Sequence, residues 1–160
     1  MDDLEATADL RHAAAGIRAD RGGALEASYQ VRPIGWIESP LIDAAEAPKQ
    51  GEQGAPDAWL VLDPAVRDGA RDLAVGSDLV VLTWLHRARR DELVTHPGGD
   101  PTRRERGVFS TRSPARPNPV GIHRVAILAI DGDRLRIGPI EAIDGTPVID
   151  LKPVLPTDRF

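Results

Sequence analysis

The sequence predicts an all-β fold, mainly an antiparallel β-barrel with short helices in its loops. Many short extended segments follow one another beyond residue 28, and the turns between them are rich in glycine and proline, of which the chain has 15 and 14. Neither a βαβ alternation nor a Gly-x-Gly-x-x-Gly motif occurs, which removes the usual argument for a doubly wound nucleotide fold. A chain of 160 residues that is 41% apolar can bury one core.

The first 28 residues differ from the rest. Apolar residues from Leu10 to Ile17 recur at helical spacing, and Gly22-Gly23 ends the pattern. We therefore expect a helical N-terminal appendage over residues 1–28 and one β-barrel domain over residues 29–160.

Seven segments beyond the appendage have strand-like patterns. The run from Asp78 to Leu85 is almost wholly apolar, which is typical of a strand buried on both faces, so we expect it to be central. Asp131-Gly132-Asp133 predicts a hairpin turn, because glycine tolerates a positive φ. Proline in the first turn favours one internal helix from Pro64 to about Leu73. The predicted strands are Val31–Ser39, Trp59–Asp63, Asp78–His86, Gly107–Thr111, Ile122–Ile130, Arg134–Ile137 and Val148–Lys152.

Several function classes are excluded by composition. The chain has no cysteine, so disulfides, thiolate catalysis and cysteine-ligated metals are excluded. The four histidines lack metal-ligand spacing, and no Gly-x-Ser-x-Gly elbow of a serine hydrolase occurs, so we expect no metal site. The sequence shows no membrane-spanning run and no signal peptide, and we expect a cytoplasmic protein without a membrane partner.

Charge is distributed unevenly along the chain. The total is −5, yet the stretch from His86 to Arg124 holds nine arginines and four acidic residues. Such an excess favours attraction of a polyanion to one face, although arginine is also simply the common cation of this chain. Within the stretch, a glycine-rich loop from Thr95 to Arg106 carries Arg103, Arg104 and Arg106. We interpret it as a mobile element with phosphate contacts or as a plain surface loop.

The densest candidate segment runs from Gly107 to Gly121. Its three prolines between Pro114 and Pro119 cannot form a helix or donate to a central ladder, so we expect a rigid, mostly extended loop. A stiff loop loses little entropy on binding. The alternative is a stiff connection between strands. The polar side chains that it presents are Ser110, Thr111, Arg112, Ser113, Arg116 and Asn118.

A second concentration of polar residues runs from Asp144 to Pro153. Asp144-Gly145 indicates a turn, and Asp150 and Lys152 fall on one face of the strand that follows. They could hold a zwitterionic ligand or form an ordinary surface ion pair. Two weaker features are the turn-like Pro48–Gly51 and His86, which ends the apolar strand.

These motifs resemble those of a known family. The phrase Gly-Val-Phe-Ser-Thr-Arg-Ser-Pro-x-Arg-Pro-Asn-Pro-Val-Gly, followed by Asp-Gly-Thr-Pro-Val-Ile-Asp-Leu-Lys-Pro, is similar to the paired motifs of the TsaA-like (YaeB, TrmO) family. The match spans roughly Val31 to Pro156. The resemblance implies a single-sheet β-barrel that binds S-adenosylmethionine as a homodimer and methylates N6 of threonylcarbamoyladenosine next to the tRNA anticodon.

The resemblance also implies particular site residues. Longer members carry a further C-terminal domain, so we expect RNA to be held by Arg103, Arg104, Arg106 and Arg116 or by a partner subunit. The alternatives are a non-catalytic barrel that binds the cofactor or RNA, and a small-molecule methyltransferase. The implied cofactor contacts are Pro48, Lys49, Gln50, His86, Arg87, Arg112, Ile122, Asp144, Gly145, Thr146, Pro147, Asp150, Lys152 and Pro153.

The chemistry needs alignment more than a nucleophile. Methyl transfer from a sulfonium is an in-line displacement, in which positioning supplies most of the rate. An acylated N6 nitrogen is a poor nucleophile while it keeps its proton, so an acceptor near that proton should help. The candidate acceptors are Asn118, Asp144 and Asp150.

Overall fold

A computed structural model describes residues 28–158, and six of its strands form one closed antiparallel barrel. The barrel strands are β1 (Gly35–Glu38), β2 (Ala58–Leu62), β3 (Asp78–Trp84), β6 (Val120–Asp131), β7 (Arg134–Gly138) and β8 (Pro147–Pro153). They pair in the order β1-β2-β7-β6-β3-β8, and β8 pairs with β1 to close the sheet. The predicted mainly antiparallel β fold with short helical turns in its loops is confirmed. The predicted appendage, except for its last position, lies outside the described residues.

The core fills the interior of this barrel. Alternate residues of each strand point inward because side chains alternate with period two, and Ile37, Leu60, Val81 and Ile137 are fully buried there. Each such side chain contributes about 1.5–3 kcal/mol by leaving water. Closure also leaves no unpaired edge on the barrel.

Strand β3 buries side chains on both faces of the sheet. Leu79, Val80 and Val81 are all buried, although they point alternately to the two faces of the sheet. Strand β3 pairs with β6 from Asp78 to Trp84 and with β8 from Leu79 to Thr83. The prediction of a strand covered on both faces and flanked on both sides is confirmed.

The predicted hairpin and internal helix are both present. Gly132 joins β6 to β7 with a φ of +57°. A 3-10 helix spans Pro64–Ala70, and the Asp63 carboxylate caps it by accepting from the Ala65 N–H at 2.9 Å. It is tighter and shorter than the predicted helix. Three-residue 3-10 helices also occur at Gly51–Gln53, Pro97–Gly99 and Val108–Ser110.

The predicted strand over Gly107–Thr111 is wrong. Only Arg106–Gly107 (β5) is extended, where it pairs with β4 (Val94–Thr95), and the chain then turns into the 3-10 helix Val108–Ser110. The Ser110 hydroxyl donates to the Gly107 carbonyl at 2.8 Å, and the Thr111 hydroxyl donates to that of Val108 at 3.0 Å. These local bonds give the backbone an alternative to a ladder.

Antiparallel closure sorts the loops between the two ends of the barrel. Loops 39–57, 85–119 and 139–146 all lie at the end where β1, β3 and β7 finish, which we call the site end. The loops from β2 to β3 and from β6 to β7 lie at the opposite end. Among the described residues, no helix combines the length and hydropathy needed to span a bilayer.

Candidate functional site at one end of the barrel

Hydrogen bonds join the three loops of the site end. Lys49 of the first loop donates to the Gly98 carbonyl of the second. The Arg87 guanidinium of the second loop donates to the Ile42 carbonyl of the first at 3.2 Å. The Asp144 carboxylate of the third loop accepts from the Ser39 N–H at 3.0 Å. Predicted residues from distant parts of the chain therefore lie in loops that contact one another.

The proline-rich loop is held together by Arg116. Its Nε donates to the Ser113 carbonyl at 2.8 Å, and its Nη2 donates to the carbonyls of Val108 and Thr111 at 3.0 and 2.6 Å. Buried carbonyls need such partners. The guanidinium therefore uses much of its donor capacity inside the loop, which fixes the backbone on both sides of Arg112.

The Asp144 turn borders an open cavity of about 700 Å³. Gly145 adopts a φ of +73°, and the buried Thr146 hydroxyl donates to the Ile143 carbonyl at 2.7 Å. These contacts hold the turn against the end of β1, where the Gly145 N–H donates to the Ile37 carbonyl. The cavity is lined by Trp36, Glu38, Ser39, Pro40, Asp57, Ala58, Trp59, Asp144 and Gly145.

Asp150 and Lys152 lie on the outer surface of the barrel. Asp150 pairs with Leu82 of β3, and Ile122 of β6 pairs with Leu82 from the other side. Lys152 and Pro153 pair with Val80 and Leu79, farther from the site end. The Lys152 ammonium contacts the Asp150 carboxylate at 2.8 Å, and both side chains are about half exposed. Such a pair contributes at most about 1 kcal/mol.

The arginine-rich loop connects β4 to β5 as a hairpin. His96 Nδ1 hydrogen-bonds with the Arg103 carbonyl at 2.8 Å, and Arg103 pairs with Asp100 at 3.5 Å. Arg104 and Arg106 are exposed and form no ion pair within residues 28–158. The predicted residues Pro48, Gln50, His86, Arg112 and Asn118 also belong to the loops of the site end, where Pro48 is half-buried and the other four are exposed. Pro147 is the first residue of β8.

Three residues that the sequence reasoning missed form a polar chain. Thr83 Oγ1 hydrogen-bonds with His123 Nε2 at 2.9 Å, and His123 Nδ1 donates to Glu141 Oε1 at 2.9 Å. Thr83 and His123 are buried, whereas the Glu141 side chain is 18% exposed. A signal was available, because His123 interrupts an apolar alternation at an inward position of β6.

The mostly buried Glu141 carboxyl at the site end has a shifted pKa. Burial by itself would raise the pKa of this carboxyl, but the hydrogen bond from His123 and the charges of His123 and Arg112 lower its pKa below the ordinary value. Glu141 is therefore ionised at neutral pH. No group of three or more histidine, aspartate or glutamate side chains suited to a metal occurs within residues 28–158.

Gly121 makes room for the polar chain. A Cβ at this position would stand 2.4 Å from Thr83 Oγ1 and 2.8 Å from His123 Nε2. Real Cβ atoms do not approach that closely, so the glycine of the Pro-Val-Gly phrase is required by its two polar neighbours. The motif glycine thus has a steric explanation within the barrel.

Comparisons with known proteins identify a family. The family model of the tRNA-methyltransferase O N-terminal domain matches residues 36–158. A probable S-adenosyl-L-methionine-binding protein of Methanothermobacter thermautotrophicus is 43% identical over 124 residues, which cover 78% of this chain and 88% of that protein. Another from Archaeoglobus fulgidus is 44% identical over 78% of this chain but only 33% of its own length.

A solved structure shares the fold. TrmO from Pseudomonas aeruginosa superposes with a TM-score of 0.64 at 29% identity, covering 81% of this chain and 57% of that one. This chain thus spans about a third of one relative and little more than half of the Pseudomonas protein. With the family model covering residues 36–158, the chain belongs to the tRNA-methyltransferase O N-terminal domain family.

Proposed function

We propose that this protein is an S-adenosylmethionine-dependent methyltransferase that acts on N6 of threonylcarbamoyladenosine beside the tRNA anticodon, as a cytoplasmic homodimer. The carrying observation is that three contacting loops bring cations and carboxylates to one barrel end. S-adenosylmethionine has a carboxylate that suits Lys49 and Arg112, and an ammonium and ribose hydroxyls that suit carboxylate acceptors. The relatives named as S-adenosyl-L-methionine-binding proteins support the same cofactor.

The cofactor supplies an electrophilic methyl group, so the protein's task is alignment. The loop that Arg116 fixes suits this task, since a stiff loop keeps the reactants in line at little entropic cost. Among the three candidate acceptors, the geometry favours Asp144. Asp144 borders the 700 Å³ cavity, which two tryptophans also line, whereas the Asp150 carboxylate forms an ion pair with Lys152. The cavity would then hold the target base, because aromatic faces stack on bases.

Arginines of the same end would hold the RNA. Arg103, Arg104 and Arg106 extend from the hairpin formed by β4 and β5, and phosphate contacts need cations of this kind. We favour Arg104 and Arg106 because Arg103 already pairs with Asp100. Arg116 is the weaker candidate, since three backbone carbonyls engage it.

An exposed apolar patch beside the hairpin supports the homodimer. Leu93, Val94 and Phe109 are 64%, 49% and 79% exposed, and Val94 pairs with Gly107 close to Phe109. A second copy covering this patch would bury it next to the arginine-rich loop. Sedimentation of the protein and of Phe109→Asp tests this step, because a monomeric parent would contradict the dimer.

Methyl transfer to tRNA tests the proposed reaction. We expect labelled methyl to enter tRNA from cells that lack this methylation but make threonylcarbamoyladenosine. We expect none to enter tRNA from cells that lack the threonylcarbamoyl group. Equal labelling of both samples would refute the proposed target nucleoside. No labelling of either, with cofactor binding intact, would favour a binding module or a small-molecule methyltransferase.

The cofactor site is tested separately by calorimetry of Arg112→Ala. We expect its affinity for S-adenosylmethionine to fall by about 1–3 kcal/mol, the value of a charge-assisted contact. Arg71→Ala, an exposed arginine at the opposite end of the barrel, is the matched control and should bind as the parent does. Equal affinity of parent and Arg112→Ala would leave the proline-rich loop a purely structural element.

A further inference from the structure

The polar chain of Thr83, His123 and Glu141 runs from the closed interior of the barrel to its site end. Both hydrogen bonds are 2.9 Å long. Thr83 is fully buried, His123 is 5% exposed, and only the Glu141 carboxylate reaches solvent. The polar chain therefore has one end that solvent can reach, and that end is the Glu141 carboxylate, held in one orientation.

Packing alone does not account for these residues. The inward neighbours of His123 on β6 and of Thr83 on β3 include Val125, Val81 and Leu79, which fill the barrel with apolar groups. Burial of an imidazole and a hydroxyl in such surroundings is costly unless each polar atom is satisfied. Gly121 must also lack a side chain to admit them. A functional role for the Glu141 carboxylate, which this arrangement holds in one orientation, would account for the cost.

The carboxylate faces segments from the other two loops of the site end. A Cβ on Gly51, which directly follows Pro48-Lys49-Gln50, would stand 3.3 Å from Glu141 Oε2. The positive charge of Arg112 also acts on this carboxylate. A carboxylate accepts about four hydrogen bonds, of which His123 supplies one and the backbone N–H of Glu141 itself supplies another. Glu141 thus has acceptor capacity left between the Lys49 and Arg112 segments.

We propose that Glu141 is a binding residue for S-adenosylmethionine, whose ammonium or ribose hydroxyl groups donate to it, and that His123 and Thr83 are its positioning residues. The inference rests on the proposed function. A carboxylate whose pKa is lowered stays ionised, so it is a strong acceptor of hydrogen bonds and a weak base. Glu141 therefore suits binding rather than removal of the N6 proton.

Calorimetry with the protein and Glu141→Gln tests the binding role. Glutamine keeps an acceptor for His123 and the shape of the side chain but loses the negative charge. We expect affinity for S-adenosylmethionine to fall about 10- to 100-fold. Glu92→Gln is the matched control, because Glu92 is also partly buried in a loop of the site end but pairs with Arg89. It should bind as the parent does.

Three ligands identify the groups that donate to Glu141. An equal loss for S-adenosylmethionine and 5′-methylthioadenosine, which lacks the amino acid, assigns the ribose hydroxyls. A loss for S-adenosylmethionine and S-adenosylhomocysteine but not for 5′-methylthioadenosine assigns the ammonium. A loss for S-adenosylmethionine alone would overturn the proposal, because the carboxylate would then respond to the sulfonium charge.

The positioning role is tested by Thr83→Val and Thr83→Ser. Valine preserves the shape but not the hydroxyl, so we expect about a 3- to 10-fold loss of affinity, and serine should restore it. Equal affinities of the valine and serine variants would refute the positioning role, and this comparison also tests the proposal if Glu141→Gln does not fold.

Binding by the parent with no effect of Glu141→Gln would overturn this inference alone. Absence of binding by the parent would overturn the proposed function.

Discussion

Replacement of Gly121 by alanine should destabilise the barrel, since this glycine lies against two buried polar side chains. The new Cβ would stand 2.4 Å from Thr83 Oγ1, 2.8 Å from His123 Nε2 and 3.1 Å from Leu85 Cδ2. Two of the three atoms belong to a buried hydrogen bond between side chains of β3 and β6. Relief of the overlap must therefore move β3 against β6 or break that bond.

The magnitude follows from these two costs. Overpacking of a well-packed core costs about 1–3 kcal/mol, and loss of the hydrogen bond between Thr83 and His123 adds about 1 kcal/mol. We expect the free energy of unfolding of Gly121→Ala to fall by about 3 kcal/mol. With a urea m-value of about 1.5 kcal/mol/M, the denaturation midpoint should fall by about 2 M.

Gly69→Ala is the matched control. Gly69 lies in the 3-10 helix Pro64–Ala70, its φ is not positive, and no atom stands within 4 Å of an added Cβ. Alanine there should be neutral or stabilise the protein by up to about 1 kcal/mol. If Gly121→Ala unfolded within 0.3 M urea of the parent, the steric explanation of the motif glycine would be refuted.

Three further predictions concern the site end. Because the pKa of Glu141 is lowered from its ordinary value of 4.5 in the folded state, its stabilisation is complete above that value and is lost as pH falls through the folded pKa. The stability advantage of the parent over Glu141→Gln should shrink below about pH 4.5 in urea titrations, and an advantage that grew with acid would contradict this sign. Arg116→Ala and Arg116→Lys should each lose about 2–3 kcal/mol of stability, since neither side chain can replace bonds to three carbonyls. As the control, replacement of the exposed Arg104 by alanine should change stability by no more than about 0.5 kcal/mol. Full stability of Arg116→Lys would disprove the explanation that the three carbonyl bonds of Arg116 hold the loop. Joint replacement of Arg103, Arg104 and Arg106 by alanine should lower tRNA affinity and reduce its dependence on salt while cofactor affinity stays constant. An unchanged salt slope would show that this loop does not contact phosphate.

The parts of the fold that the sequence predicted are those set by local pattern. The apolar run of β3 and the Asp131-Gly132-Asp133 turn each carry their signal within a few residues, and both are present. The strand prediction for Gly107–Thr111 was wrong. The apolar residues of the segment suggested a strand, but the hydroxyls of Ser110 and Thr111 close a local turn. Competition between a ladder and a side-chain bond depends on whether a partner strand reaches the segment, and sequence pattern does not contain that information.

The loops of the candidate site could be predicted from the sequence, but the polar chain of Thr83, His123 and Glu141 could not. Motif phrases singled out Lys49, Arg112 and Asp144, which the fold places in three contacting loops. Glu141 and Thr83 were missed because their connection runs through His123, 18 and 40 residues away in the chain. Asp150 and Lys152 were correctly placed on one strand face, and the plain alternative of a surface ion pair is what the structure contains.

The common location of the predicted segments follows from topology. In a closed antiparallel barrel, successive connections between strands alternate between the two ends. Segments as distant in the chain as those at Pro48 and Pro147 therefore lie at the same end only if the strands between them bring the chain back to that end. The order β1-β2-β7-β6-β3-β8 does this for loops 39–57, 85–119 and 139–146. The stretch from His86 to Arg124, with nine of the chain's arginines, supplies the longest of these loops. The positive charge of the site end lies on loop 85–119, whereas loops 39–57 and 139–146 carry more acidic than basic residues. A polyanion attracted by the arginines would therefore contact loop 85–119, at the same end of the barrel as Glu141 and Asp144.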